Sequence, residues 1–292
     1  MIPKEVLQKV RQIEIRTRRI VDSVMSGEYH SAFKGRGMEF SEVRSYMDGD
    51  DVRTIDWNVT ARMGSPYIKK YVEERELTVM LVVDASSSGD FGSVDKFKGE
   101  MAVELCSLLA FSAIRNNDRV GLIIFTSDVE VFIPPRKGKN HVLRVIRELL
   151  YFRPKNRGTD IGNALKFLNK VQTKTSVVFL VSDFISAVNF EAPLRVAAKR
   201  HDLVTISITD PREESIPRVG LIELEDAETG ETILFDTRSK KSLAIYRREI
   251  GRRREQLDGL LRSTGTDEIR VSTETGYVKP IVKFFQKREK LQ

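Results

Sequence analysis

Leu77-Thr78-Val79-Met80-Leu81-Val82-Val83-Asp84-Ala85-Ser86-Ser87-Ser88 is the stretch that decides the fold. Leu77–Val83 is apolar except for Thr78 and shows no polar alternation, which is how a strand covered on both faces reads. The run stops at an acid and a cluster of serines, so the buried strand opens directly into a polar loop. Two more continuous apolar runs follow, Ser176–Val181 and Leu203–Ile208. Helical periodicity separates them. Asp95–Asn116 carries Phe97, Met101, Leu105, Leu108 and Leu109 on one face, and further helices are expected near Asn140–Phe152, Asp160–Val171 and Glu191–Arg200. Val120–Phe125 and Val129–Ile133 are short strands around the turn Thr126–Asp128. Doubly covered strands alternating with helices imply an α/β fold with a mostly parallel sheet between two helix layers.

Both flanks extend this centre. Pro3–Met25 is expected to be a helix, with Pro near its first turn, Gly27 past its end and an apolar stripe of Val6, Val10, Ile13, Ile20 and Val24. The Gly-, Asp- and Arg-rich segment from Gly27 to Tyr71 argues against regular structure through most of its length. Beyond Pro211, Gly220–Leu224 and Thr232–Phe235 flank the turn chemistry of Glu228-Thr229-Gly230 and are expected to pair antiparallel. Lys240–Arg262 is a basic helix with an apolar seam of Leu243, Tyr246, Ile250, Leu257 and Leu261. A short strand, Glu268–Val271, and a helix, Val278–Arg288, follow. The organisation expected is therefore 1–75, 76–210 and 211–292.

Composition narrows the function classes. Hydrophobic residues make up 40% and charged residues 31% of the 292, ordinary for a globular chain. Neither a transmembrane run nor a secretory signal is expected, and the single cysteine, Cys106, fits a reducing cytosol. Cys106 lies in an apolar helical run and reads as a buried, inert thiol. Residues 236–292 hold 15 Lys/Arg and 8 Asp/Glu, which accounts for the whole net charge of +7. The basic helix with Arg252-Arg253-Arg254 could meet nucleic acid or an anionic membrane, but a solvated helix face is the commoner explanation. No aromatic interleaving or recognition motif supports nucleic acid. His30, His141 and His201 have no acid or nucleophile at useful spacing.

The chemistry lies in three separated segments: Asp84-x-Ser86-x-Ser88, Gly158-Thr159-Asp160, and Ser182-Asp183 at the end of an apolar strand. In an open parallel sheet the strand carboxyl ends share one rim, where ligands bind. Asp84 and Asp183 are therefore expected on the same edge, with Thr159 brought over by its loop. Asp, Ser and Thr also cap helices and close turns, so the bland reading is a Ser-rich loop with two caps. Two carboxylates and three hydroxyls around a point would instead suit a hard cation, Mg²⁺ or Mn²⁺; without His or Cys, zinc is not expected. Neutral hydroxyl ligands leave the ion short of negative charge, so it seeks a carboxylate from elsewhere.

Asp84, Ser86, Ser88, Thr159 and Asp183 together resemble the metal-ion-dependent adhesion site of von Willebrand factor A domains, with order and spacing alike over about residues 77–210. The resemblance implies a Rossmann-like α/β domain in which Ser86, Ser88 and Thr159 are hydroxyl ligands and Asp84 and Asp183 bind directly or through water. Gly89-Asp90 departs from it, since many members carry Met after the last Ser. Upstream, Gly35-Arg36-Gly37, Val43-Arg44-Ser45-Tyr46, Gly49-Asp50-Asp51-Val52-Arg53, Ile55-Asp56-Trp57, Thr60-Ala61-Arg62, Tyr67 and Glu73-Glu74-Arg75-Glu76 resemble the bacterial proteins grouped as domain of unknown function 58, typically encoded near MoxR-type AAA+ ATPases. That resemblance implies a non-enzymatic, cytoplasmic adaptor of such an ATPase, holding Mg²⁺ and gripping an Asp or Glu of a protein partner. Within the upstream segment, Arg44, Arg53, Asp56 and Arg62 read as ion-pair clasps and Trp57 as an anchor. Two other classes stay in view. One is a metal-dependent hydrolase or phosphotransferase with Asp84 as nucleophile or ligand, although no phosphate-gripping G-x-x-x-x-G-K-S/T loop is present and Ser86 stands where a second acid would be expected. The other is nucleic-acid binding through the basic C-terminal region.

Overall fold

A computed structural model describes residues 4–24, 29, 32–33, 39–72, 76–94, 96–186 and 188–290. The helix-ending Gly27, the Gly35-Arg36-Gly37 motif, Glu73–Arg75 and His30 lie outside the described residues. By compactness the chain forms two units, residues 33–77 and the remainder.

The main unit is built on a six-stranded sheet. Its strands are β3 (Thr78–Asp84), β4 (Arg119–Phe125), β5 (Val129–Arg136), β6 (Val177–Ser182), β7 (Asp202–Thr209) and β10 (Asp267–Ser272), in the order β10-β7-β6-β3-β4-β5. Only the β4–β5 pair is antiparallel. The apolar runs read from sequence are its buried middle: β3 is closed to solvent from Val79 to Val83, and every residue of β6 is buried. The sequence reading left Glu268–Val271 as a closing strand without a place. It is in fact the sheet edge, parallel to β7 from Asp267↔Val204 to Ser272↔Thr209.

Successive residues of a strand face opposite sides, so each strand serves two cores. Met80, Val82, Ile123, Phe125, Val178 and Leu180 meet α5 (Ile161–Val171), α6 (Glu191–Arg200) and Leu261 of α8 (Lys240–Thr264). On the other face lies α3 (Lys98–Arg115), whose Leu105, Leu108 and Leu109 are fully buried. Beside it pack α4 (Lys139–Tyr151) and α1 (Lys4–Val24). Among the described side chains of α1, Val10, Thr17 and Val21 are buried, a stripe at steps of seven and four. Ion pairs Arg16–Glu104 at 3.2 Å and Lys139–Glu14 at 2.7 Å pin the helix to α3 and α4. Cys106 is buried and burial pushes its thiol far above the usual range, as expected of an inert core thiol. No helix among the described residues is long and apolar enough to cross a membrane.

Three further elements complete the main unit: the short α7 (Pro211–Glu214), the antiparallel hairpin β8 (Leu221–Glu225) with β9 (Thr232–Asp236), and α9 (Val278–Glu289). Along α8, Leu243 and Leu261 are buried, while its arginines turn to carboxylates of the same chain. Arg252 and Arg253 meet Glu249, and Arg254 meets Glu268 and Asp258.

The 33–77 unit corrects the expectation of an irregular loop. It contains β1 (Glu39–Ser45), α2 (Trp57–Met63) and β2 (Tyr67–Val72), with β1 and β2 paired antiparallel. The signal was hidden because Asp and Arg here are structural caps. Asp51 accepts from the Arg53 amide, and Asp56 caps α2 through the Asn58 and Val59 amides. Arg44 does clasp Asp50, through two bonds of 2.7 and 2.9 Å, which lower the Asp50 pKa. Trp57 opens α2 and, within this unit, presents its side chain outward.

His201 ends α6 in a buried position, and neither ring nitrogen has a hydrogen-bond partner. Burial first, and then the charge of Arg200, pushes its pKa down to about 4. The unfolded chain would hold that proton up to about pH 6.5, so stability is complete above that pH and falls as pH drops toward 4. Denaturant unfolding is expected to show a loss on the order of 2 kcal/mol across that window. His201→Leu should flatten it; an unchanged profile in the variant would refute the assignment.

Candidate metal centre

The sheet order locates the site. From β3 the chain moves one way to β4 and β5, then returns to lay β6 on the other side of β3. The crevice beyond the carboxyl ends of β3 and β6 is the topological switch point, where neither crossover covers the rim. Asp84 ends β3, and Ser182 ends β6 just before Asp183.

Short polar contacts hold each side chain in place. Asp84 accepts from the Ser86 amide at 2.9 Å and from Ser182 Oγ at 2.6 Å, so both carboxylate oxygens are anchored. Ser86 and Ser88 bring their hydroxyl oxygens to 3.0 Å from each other. Asp183 Oδ1 accepts from the Ile185 amide at 3.0 Å, and the Phe184 amide donates to Ser182 Oγ at 3.0 Å. That turn forces Phe184 to φ 59°, a left-handed conformation costing an aromatic residue about 1–3 kcal/mol.

Hydrogen bonds join the three segments. The Ser87 amide donates to the Arg157 carbonyl at 3.1 Å, tying the serine loop to the Thr159 loop. Ser186 Oγ donates to the Thr159 carbonyl at 3.0 Å, tying that loop to the stretch after β6. A cavity of about 20 Å³, room for one water-sized occupant, is lined by Asp84, Ser88, Lys98, Ser182 and Asp183. Of the sequence-predicted residues, Asp84, Ser88 and Asp183 line one cavity and Ser86 joins them through Ser88, whereas Thr159 is linked to them through the backbone bonds of its loop. The Thr159 hydroxyl is engaged separately, donating to Glu228 Oε1 at 2.6 Å.

Three participants have no mark in the sequence, Lys98, Glu213 and Glu228, and Ser182, quoted there only as a strand end, proves to hold Asp84. Lys98 opens α3, is 3% exposed, and donates from Nζ to Asp183 at 2.8 Å and Glu213 at 2.5 Å. Burial favours its neutral form, but the charges of Asp183 and Glu213 outweigh that and raise its pKa. Glu213 is raised by burial against the opposing pull of Lys98. Asp84 is pushed up to about 6, by burial first and by the charge of Asp183 second. Lys98 thus stands between the Asp183 and Glu213 carboxylates, and the charge of Asp183 is felt in turn by Asp84. No signal in sequence marks these partners, since a lysine at a helix start and glutamates 30 and 45 residues past Asp183 are ordinary surface residues by composition.

The donor set fits a small hard cation. Adjacent corners of an octahedron with bonds of about 2.1 Å lie roughly 3.0 Å apart, the spacing of the Ser86 and Ser88 oxygens. Two held carboxylates add charge, and Lys98 offsets only part of it. Among the described residues no three His, Cys, Asp or Glu side chains converge in a metal-binding group. A cation here would therefore depend on the hydroxyls.

Residues 42–256 match the family model described as "Protein of unknown function DUF58". An uncharacterised protein of Mycobacterium tuberculosis, Rv1480, is 30% identical over 289 residues, spanning 96% of this chain and 89% of that protein. Among solved structures, an aerotolerance-related membrane protein from Bacteroides fragilis is 17% identical, covering 74% of this chain and 100% of that one at a TM-score of 0.51. That likeness is one of fold. The VWA domain of SpRpn10 is 12% identical and aligns over 71% of this chain and 94% of that one at 0.43. By the family model and the long relative, which both span the Asp84–Ser88 loop and the capped segment before it, the chain belongs to the DUF58 family.

Proposed function

We propose that this chain is a protein-interaction module that grips a partner's Asp or Glu through a divalent cation, Mg²⁺ or Mn²⁺, held by Asp84, Ser86, Ser88, Thr159 and Asp183. The observation that carries the reading is the paired hydroxyls of Ser86 and Ser88 beside two anchored carboxylates at the switch crevice. A bound cation would supply an electrophilic seat for one more anionic oxygen. The protein's own residues do the rest. The serine loop presents neutral donors, Ser182 and the Ser86 amide keep Asp84 oriented, and Lys98 limits the charge of Asp183. The partner class implied by the family resemblance is a MoxR-type AAA+ ATPase, and the role proposed is non-enzymatic and cytoplasmic.

Calorimetry with Mg²⁺ or Mn²⁺ tests this directly. Saturable heat is expected at millimolar metal or below. Ser86→Ala should abolish it while shifting the unfolding temperature by no more than a few degrees, because only one hydroxyl is lost. Absence of heat from the unmodified protein would sink the reading. A pulldown in Mg²⁺ against chelator, probed for an AAA+ ATPase, tests the partner separately.

A further inference from the structure

We infer that Glu228, at the tip of the β8–β9 hairpin, is the protein's own occupant of the carboxylate seat, making the hairpin a self-inhibiting cap that a partner must displace. The inference rests on the site reading above. Its basis is the 2.6 Å hydrogen bond from the Thr159 hydroxyl to Glu228 Oε1, which spans 69 residues of chain. Thr159 is buried, and its neighbours touch the same tip. Glu228 Oε2 lies 3.8 Å from the Cβ position of Gly158, and Arg157 Nη1 lies 3.8 Å from that of Gly230.

The turn does not need this glutamate. Asp226 shapes the tip by accepting from the Glu228 and Thr229 amides at 2.9 and 3.0 Å, and Gly230 takes the required φ of 74°. Glu228 is left free to point outward, and it points at the rim. Glu228 brings a carboxylate to the loop that carries Thr159, with Arg157 as the neighbouring cation. A neutral Gln would make the same hydrogen bond, so the negative charge is what the bond by itself does not require. An anion is the residue to place there if the seat is built for one. A hydroxyl ligand keeps lone pairs while donating its proton, so Thr159 can serve the cation and hold Glu228 at once.

The hairpin is also built to lift. β8 and β9 pair only with each other, and Leu221, Ile233 and Leu234 are 67, 59 and 73% exposed. A two-stranded ribbon gains little from its own pairing, and the face it packs is small, with Phe235 against the ring of Tyr246 at 5.9 Å. Its base is a pivot at Gly220, φ 107°, and the buried Thr237, whose hydroxyl bonds both the amide and the carbonyl of Gly220. Beyond this base the cap is held by the tip contact and the Phe235–Tyr246 ring pair, neither of which belongs to the two sheet cores.

The test uses the full chain, Mn²⁺ as the metal and acetate as a minimal carboxylate. Mn²⁺ uptake is followed by electron paramagnetic resonance, and acetate binding to the Mn²⁺-loaded protein by water-proton relaxation. Glu228→Ala is expected to tighten acetate binding about 10- to 100-fold, because affinity falls in proportion to the open fraction and a seat closed about 90–99% of the time loses that much. Glu228→Gln should fall between it and the unmodified chain, and the remote Glu223→Gln should match the unmodified chain. Mn²⁺ uptake with equal acetate affinity in the Glu228→Ala and unmodified proteins would overturn the cap and leave the site reading standing. Failure of Mn²⁺ to bind either protein would overturn the site reading, and the cap with it.

Discussion

Lys98→Met is expected to destabilise the fold by roughly 3 kcal/mol, because it strips the only ammonium from two carboxylates that cannot reach bulk water freely. The Asp183 side chain is 3% exposed and that of Glu213 25%, and both lean on Lys98 Nζ. Methionine fills the space of the aliphatic stem, so the loss is electrostatic rather than a cavity effect. For a chain of this size the unfolding temperature should fall by about 6–10 °C. A diagnostic second half follows from the site. If Asp183 faces a cation seat, millimolar Mg²⁺ should restore much of that loss in the variant and do less for the unmodified protein. Thermal unfolding of both proteins, with metal and with chelator, reads this out. Equal stability of the two metal-free proteins would show that Lys98 is dispensable to the rim.

Asp210→Asn carries the second large effect, about 3 kcal/mol. Asp210 is buried at the end of β7 and accepts from four donors: the Ser93 amide at 2.9 Å, Ser93 Oγ at 2.5 Å, Thr273 Oγ1 at 2.6 Å and the Arg212 amide at 2.9 Å. It ties the loop before α3, the residue after β10 and the first turn of α7 to one carboxylate. Asparagine would turn an NH₂ toward donors and leave at least one unsatisfied. Burial pushes the Asp210 pKa up, but the bonds from Ser93, Thr273 and Arg212 outweigh it and bring it down to about 2. The stability this represents is present above about pH 4 and is lost as pH falls toward 2, on the order of 2 kcal/mol. Acid unfolding of Asp210→Asn should lack that component. Glu213 bonds both Lys98 and the Asp210 amide. The double variant Lys98→Met, Asp210→Asn should therefore deviate from additivity, whereas a sum within 0.5 kcal/mol would show the two contacts to be independent.

The sequence by itself determined the layered α/β architecture. Unbroken apolar runs such as Val79–Val83 and Val177–Val181 can only be strands covered on both faces, and helical stripes such as Leu105, Leu108 and Leu109 supply the covers. It also put Asp84 and Asp183 at strand ends that share a rim, and the structure sets both, with Ser88, around one small cavity. The Gly27–Tyr71 segment misled because its Asp and Arg residues cap and clasp, a use that composition cannot separate from loop. Tertiary structure alone decided the sheet order that opens the crevice between β3 and β6, the placing of β10 at the edge, and the identity of Lys98, Glu213 and Glu228 as the charges around the site. The physical reason is range. Periodicity and capping act within a few residues and leave a local imprint, whereas an ion pair across 85 residues or a hydrogen bond across 69 depends on which loops the crossovers bring to the same edge.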